Sequence, residues 1–203
     1  PKDVIDALPS PVGGYQIQLA PVVIVWYIET EATDHAGERL RELVDAGADI
    51  ARDPIRAMML SLAADKVPPL LPWLSHVDAV LGGEVAIELL RRHPGHHGIA
   101  AAALLVLLDP ELLPELAHFA QSGDAEVRKN FAQACGQLGN LEQTQLLVKL
   151  MGDPVWWVRY RAAQALLKLK GMDQARLEEI RAALGDRFAR DMFDQARAEA
   201  LLP

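Results

Sequence analysis

Three imidazoles fall within five residues, His93-Pro94-Gly95-His96-His97, and with His76 or His118 they could offer the nitrogen donors of a metal site. Their spacing fits no standard ligand motif, and a turn between helices with ordinary polar roles explains them better. A different chemistry is suggested by the adjacent pair Trp156 and Trp157. Neighbours on a helix point about 100° apart, so the two rings cannot occupy one core position. With Val155, Val158, Ala162, Ala165 and Leu169 as the inward stripe, Trp157 falls with Arg161, Gln164 and Lys168, and Trp156 with Tyr160, Ala163 and Leu167. An exposed tryptophan beside an arginine is the residue mix of binding hot spots, where one side chain can be worth about 2 kcal/mol or more. The alternative is a ring laid over a neighbouring pair of helices.

Catalytic patterns are missing. The sequence has no Gly-rich phosphate loop, nucleophile elbow, Cys-x-x-Cys pair or His-Glu-x-x-His. Cys135 is the only cysteine, which rules out an internal disulfide and a thiolate metal cage, and its neighbours Ala134 and Leu138 mark it as a small buried filler. The expectation is a protein that is not an enzyme and needs no cofactor.

The elements that carry these residues repeat. Val127-Arg128 with Gln133-Ala134, Val158-Arg159 with Gln164-Ala165, and Ala189-Arg190 with Gln195-Ala196 recur at a period of 31 residues. A helical unit reused at such a period cannot bury its apolar face alone and stacks on its neighbours. Asp-Pro at 53–54, 109–110 and 153–154 marks helix starts, and glycines at 123, 139, 152, 171 and 185 mark stops and turns. The expected helix pairs are Pro110 to Gln121 with Glu126 to Leu138, Leu141 to Met151 with Val155 to Lys170, and Asp173 to Leu184 with Arg187 to Leu202. Upstream, His96 to Leu108 fits an earlier second helix, Asp53 to Arg56 the start of another, and Val67 to Val77 a first helix. Residues 78–95 fit poorly, and Gly82-Gly83 is expected to break or bend a helix. No sheet is expected. Residues 1–35, with four prolines and the run Val22 to Ile28, form an arm or cap whose secondary structure the pattern leaves open between strand and helix.

Gly-Asp at 123–124, 152–153 and 185–186, followed by Val-Arg or Ala-Arg and an alanine-rich helix, resembles the HEAT-repeat family, in particular short bacterial HEAT-like repeats. The likeness is close over 109–203 and loose over 36–108. It implies an all-α fold, a right-handed α-solenoid of about four to five stacked antiparallel helix pairs over 36–203 with an irregular N-terminal arm. It also implies a ladder between successive repeats made by Asp124, Asp153 and Asp186 with Arg128, Arg159 and Arg190. The third copy departs from the pattern with Ala189 in place of valine.

One period to either side of Trp157, Arg161 and Gln164 the same face carries Glu126, Asn130 and Gln133, then Phe188, Met192 and Gln195. The expected partner-binding residues are therefore Trp157, Arg161, Gln164, Gln133, Gln195 and Phe188, with solvated helix formers as the plainer account of the glutamines. Carboxylates at 34, 38, 42, 45 and 49 make one acidic helix face, either solvated or a dock for a basic partner. Against 20 Lys+Arg stand 28 Asp+Glu, and the net charge of −8 disfavours nucleic acid. The run Val22 to Ile28 is much shorter than the roughly 20 apolar residues of a membrane span. The chain opens at Pro1 with no leader pattern, so the expected location is the cytoplasm, with a removed leader or a peripheral membrane-complex association left open.

The leading expectation is a protein-binding scaffold, adaptor or accessory subunit, with another protein as partner, within a larger complex. HEAT-like repeats also resemble subunits of bilin-attaching chromophore lyases and similar cofactor-handling maturation factors, for which His93, His96, His97 and Asp109 are the residues to suspect. The likeness to HEAT-like alkyl-purine glycosylases would mean DNA binding, which the acidic balance opposes.

Overall fold

The computed structural model describes residues 52, 53 and 55–201. The expected arm over 1–35 and the acidic face between 34 and 49 lie outside the described residues. The described chain is all-α, and its one extended contact is an isolated parallel bridge between Asn140 and Lys170. It divides into two compact units, Pro1–Val106 and Leu107–Pro203, a boundary inside the array expected over 36–203.

In the first unit, residues 55–61 are helical. They are followed by a 3-10 turn over Pro68–Leu70 and the helices α1 (Leu71–Val77), α2 (Ala79–Arg92) and α3 (His97–Val106). The three α-helices pack on one another around Leu71, Leu74, Leu81, Val85, Leu89, Ile99 and Leu104, all buried. Asp78 ends α1 and starts α2, its carboxylate accepting from the Leu81 amide at 3.0 Å. The expected break at Gly82-Gly83 does not occur, because α2 runs through both residues. Gly82 instead permits a close helix approach: a Cβ there would lie 2.7 Å from the Ser75 Cα. What reads in sequence as a breaker is a contact surface.

The second unit holds the three arginine-bearing copies. The expected helix over Pro110 to Gln121 is two 3-10 segments, Pro110–Leu112 and Glu115–Gln121. Pro114 has no N–H to give to the Pro110 carbonyl, so the chain uses i+3 bonds, Leu113 to Pro110 at 3.2 Å and Ala117 to Pro114 at 3.3 Å. Helix α4 (Ala125–Leu138) follows, capped by Asp124, which accepts from the Glu126 amide at 2.8 Å. Asn140 and Gln143 form a reciprocal capping box at the 3-10 turn Leu141–Gln143, which leads into α5 (Thr144–Leu150). Helix α6 (Trp156–Lys168) buries Val158, Ala162, Ala163, Ala165 and Leu166. Val155, expected in that buried stripe, is the N-cap of α6 and is exposed. Gly171, at φ 82°, turns the chain into α7 (Gln174–Ala183), and Asp186 caps α8 (Arg187–Ala200).

Copies one and two stack in register. Helix α4 lies against α6, where a Cβ on Gly136 would meet the Ala165 Cα at 2.8 Å, and the Lys170 amide donates to the Gly139 carbonyl at 3.3 Å. The third copy departs from that register. Helix α8 packs on α6 through buried Ala189, Met192, Phe193 and Ala196. Yet the Tyr160 hydroxyl donates to Glu199 and not to Asp191, its counterpart one period on. Helix α7 buries no residue and is tied to α8 by the ion pairs Arg181–Asp194 at 2.6 Å and Arg197–Glu178 at 2.8 Å.

Candidate partner-binding surface

The three repeated arginines share one local role. Each guanidinium donates from Nη1 to the carbonyl six residues earlier: Arg128 to Ser122 at 2.7 Å, Arg159 to Asp153 at 2.7 Å and Arg190 to Leu184 at 2.9 Å. These charge-assisted bonds pin the loop that joins the two helices of a pair. The position six before the arginine is thus Ser122, Asp153 and Leu184 in the three copies.

Of the three, the middle one carries a carboxylate, which can form an ion pair with a guanidinium from the copy before it. Arg128 donates to Asp153 from Nε at 2.7 Å and from Nη2 at 2.9 Å, a bidentate pair whose side chains are 12% and 6% exposed. Burial pushes the Asp153 carboxyl up, but the Arg128 bond, the Val155 amide and the charges of Arg128 and Arg159 outweigh it and hold it below the usual range. The corresponding acceptor for Arg159 would stand at position 184, which is a buried leucine, and the Arg159 Nε is buried without an acceptor among the described residues. Asp124 and Asp186 serve as helix caps. Of the six residues assigned to a ladder, the structure brings Arg128 and Asp153 together as a rung, and Arg159 joins them through the Asp153 carbonyl. Asp124, Asp186 and Arg190 work within their own copy. The signal was in the spacing, since the aspartate precedes its arginine by four, six and four residues.

A second rung stands in the first unit, where sequence reading assigned none. Arg52 donates from Nε to Asp78 at 2.5 Å, across a separation of 26 residues against 25 for Arg128–Asp153. Burial raises the Asp78 carboxyl, and the Leu81 amide with Arg52 brings it below the ordinary value.

At the start of α6 three aromatic rings cluster. Trp156 stacks on Tyr160 at 5.0 Å between centroids, and Trp157 stands edge-on to Trp156 at 4.4 Å. Trp157 is 56% exposed and Trp156 38%. The Tyr160 hydroxyl donates to Glu199, a bond that raises the tyrosine and, with Gln195, lowers the glutamate. Arg161 and Gln164 are half-buried on the Trp157 side and joined, Nη1 to Oε1, at 2.9 Å. The Nε of Arg161 is buried without an acceptor among the described residues.

The expected face does not continue evenly through the copies. Asn130 and Met192, the counterparts of Arg161, are buried, at 4% and 5% exposure. Gln133 is half-buried on α4, Gln195 is exposed and donates to Glu199 at 3.0 Å, and Phe188 is 69% exposed at the start of α8. Phe188 lies eleven residues, about 16 Å of helix, before the Glu199 that meets Tyr160. The column of 31-residue steps therefore breaks between α6 and α8.

His93 and His96 bond locally. His93 ends α2, with its amide on the Leu89 carbonyl at 2.9 Å, and the His96 ring accepts from the Ile99 amide at 3.2 Å at the start of α3. His97 is the first residue of α3. Asp109 accepts from the Glu111 amide at 2.9 Å. Among the described residues no three of His, Cys, Asp or Glu converge on a common point, and no helix is long and apolar enough to cross a membrane. Cys135 is fully buried, and burial pushes its thiol up to about 12, which keeps it protonated at neutral pH.

Comparison with curated proteins and with solved structures finds no match. The family described as HEAT repeats matches residues 83–167, a span that runs from α2 to the last turn of α6 and includes the Arg128–Asp153 rung and the aromatic cluster. HEAT repeats generally mediate protein–protein interaction, and proteins built from them are typically non-catalytic scaffolds. The stacked helix pairs and loop-pinning arginines agree with this match, which supports a HEAT-repeat assignment over residues 83–167.

Proposed function

We propose that the chain is a non-enzymatic scaffold, an adaptor or accessory subunit, that grips a partner protein within a larger complex through the exposed face of α6 at Trp157, Arg161 and Gln164. The observation that carries this reading is the Trp157 ring, more than half exposed yet braced by Trp156 and Tyr160. A large aromatic ring held in one place loses little freedom on binding, which is why tryptophan and arginine dominate hot spots. Gln133, on the helix packed in register with α6, extends the surface. Phe188 and Gln195 on α8 form its outlying part.

The test compares the proteins that co-purify with the wild-type chain and with the variant Trp157→Ala, Arg161→Ala. The variant keeps its helical circular dichroism and thermal midpoint while losing at least one identified partner. Identical partner sets would remove this surface from consideration.

A further inference from the structure

Helix α6 carries Arg159, Arg161 and Lys168 and no acidic residue, although the chain as a whole has a net charge of −8. Arg159 is turned to the loop carbonyls of Asp153 and Pro154. Arg161 and Lys168 share the stripe of Trp157 and Gln164, since steps of four and seven residues return to one side of a helix. Arg161 has its Nη1 on a neutral amide of its own helix and its Nε on no acceptor, and among the described ion pairs neither Arg161 nor Lys168 has a carboxylate. The α6 face is thus an aromatic anchor followed by two cations with no counter-charge among the described residues.

Resting on the reading of this face as the partner surface, we infer that it takes an acidic, extended peptide segment. The distances set its pattern. Trp157 to Arg161 spans about 6 Å along the axis and Arg161 to Lys168 about 10 Å. An extended chain advances about 3.3 Å per residue and keeps side chains on one side only at even steps, so the two intervals take two and four residues, the flexible lysine side chain covering the remaining ~3 Å. The matching segment reads apolar-x-acid-x-x-x-acid, its apolar side chain over Trp157, the first carboxylate on Arg161 and the second on Lys168. Between the cations, the Gln164 Oε1 is engaged by Arg161 while its amide N–H groups are left to donate to a backbone carbonyl. An extended chain offers such carbonyls and a helix does not.

The experiment uses the full chain and three labelled peptides of one length: apolar-x-Glu-x-x-x-Glu, the same with both glutamates replaced by lysine, and the same with both replaced by glutamine. Fluorescence anisotropy gives the affinities, with Trp157→Ala and Arg161→Glu, Lys168→Glu as variants. The acidic peptide binds at least tenfold tighter than the other two and weakens with salt. The charge-reversed variant loses it at least tenfold and gains the lysine peptide, while its circular dichroism is unchanged. Equal binding of all three peptides through Trp157 overturns the acidic specificity and leaves the face as a partner surface. Binding of none overturns the inference, and the face itself is then judged by the co-purification comparison alone.

Discussion

Replacing Asp153 with alanine removes two functions at once, both oxygens engaged by Arg128 and the acceptor of the Val155 amide at 2.9 Å. Removing one partner of a buried ion pair costs about 3–5 kcal/mol, because the other charge stays behind without compensation. Arg128 keeps its bonds to the Ser122 and Gly123 carbonyls, and its side chain is 12% exposed, so the lower end applies. The lost amide bond adds about 1 kcal/mol, for a total of about 3–4 kcal/mol. Urea denaturation followed by tryptophan emission measures it. The double replacement Arg128→Met, Asp153→Leu, which leaves no charge stranded, should recover to within about 1 kcal/mol of wild type. Acid gives an independent check. Because the folded carboxyl sits below its unfolded value of about 3.9, its contribution is complete above that pH and fades as the pH falls through the lower folded value. Wild type therefore loses stability faster below pH 4 than Asp153→Asn does. A loss under about 1 kcal/mol in Asp153→Ala would show that the rung behaves as a solvated pair and that apolar packing alone joins the copies.

Gly136→Ala should cost about 1–3 kcal/mol despite the better helix propensity of alanine, because its Cβ would meet the Ala165 backbone at 2.8 Å, whereas Gly123→Ala, with open space around it, should be neutral in the same denaturation assay. Asp78→Ala removes a helix cap and an ion pair to a half-exposed arginine, a loss of about 1–2 kcal/mol, and should appear as a lower thermal midpoint of the first unit. Cys135 should resist a thiol-specific chromogenic reagent at pH 8 in the native chain and react within minutes in urea, and rapid native labelling would mean that the interface of α4 opens readily.

Much of the second unit is legible in the sequence because its copies repeat whole phrases. The Val-Arg and Gln-Ala pairs place α4, α6 and α8 within two residues of their ends, since a repeated buried alanine face leaves few alternatives. Helix starts were harder. Asp153-Pro154 reads like Asp109-Pro110, but its aspartate is taken up by Arg128 and α6 begins two residues later, at Trp156. Gly82 reads as a breaker because a sequence does not reveal that Ser75 lies against it. The Arg52–Asp78 rung stayed hidden because no phrase around it matches the later copies. In the candidate site, the sequence places Trp157 with Arg161 and Gln164 on one stripe of α6. It does not foretell that Asn130 and Met192 are buried, because periodicity fixes direction around a helix and not what lies opposite.

The break in register between α6 and α8 coincides with a change at one residue. A bidentate arginine–carboxylate pair fixes both distance and direction, so Arg128 and Asp153 hold α6 against α4 at one setting. At the next step the acceptor position is Leu184, and apolar burial, which has no preferred direction, is left to join the helices. Met192 and Phe193 can bury themselves at more than one offset along an alanine-rich neighbour such as α6, and the Tyr160–Glu199 bond selects the one that is seen. That offset takes Phe188 away from Trp157. The Arg159 Nε has no acceptor among the described residues, and Trp157 keeps more than half of its surface in solvent. The same substitution that ends the ladder thus opens the face proposed to bind a partner, and a carboxylate at position 184 would draw α8 back toward Arg159 at the expense of that opening.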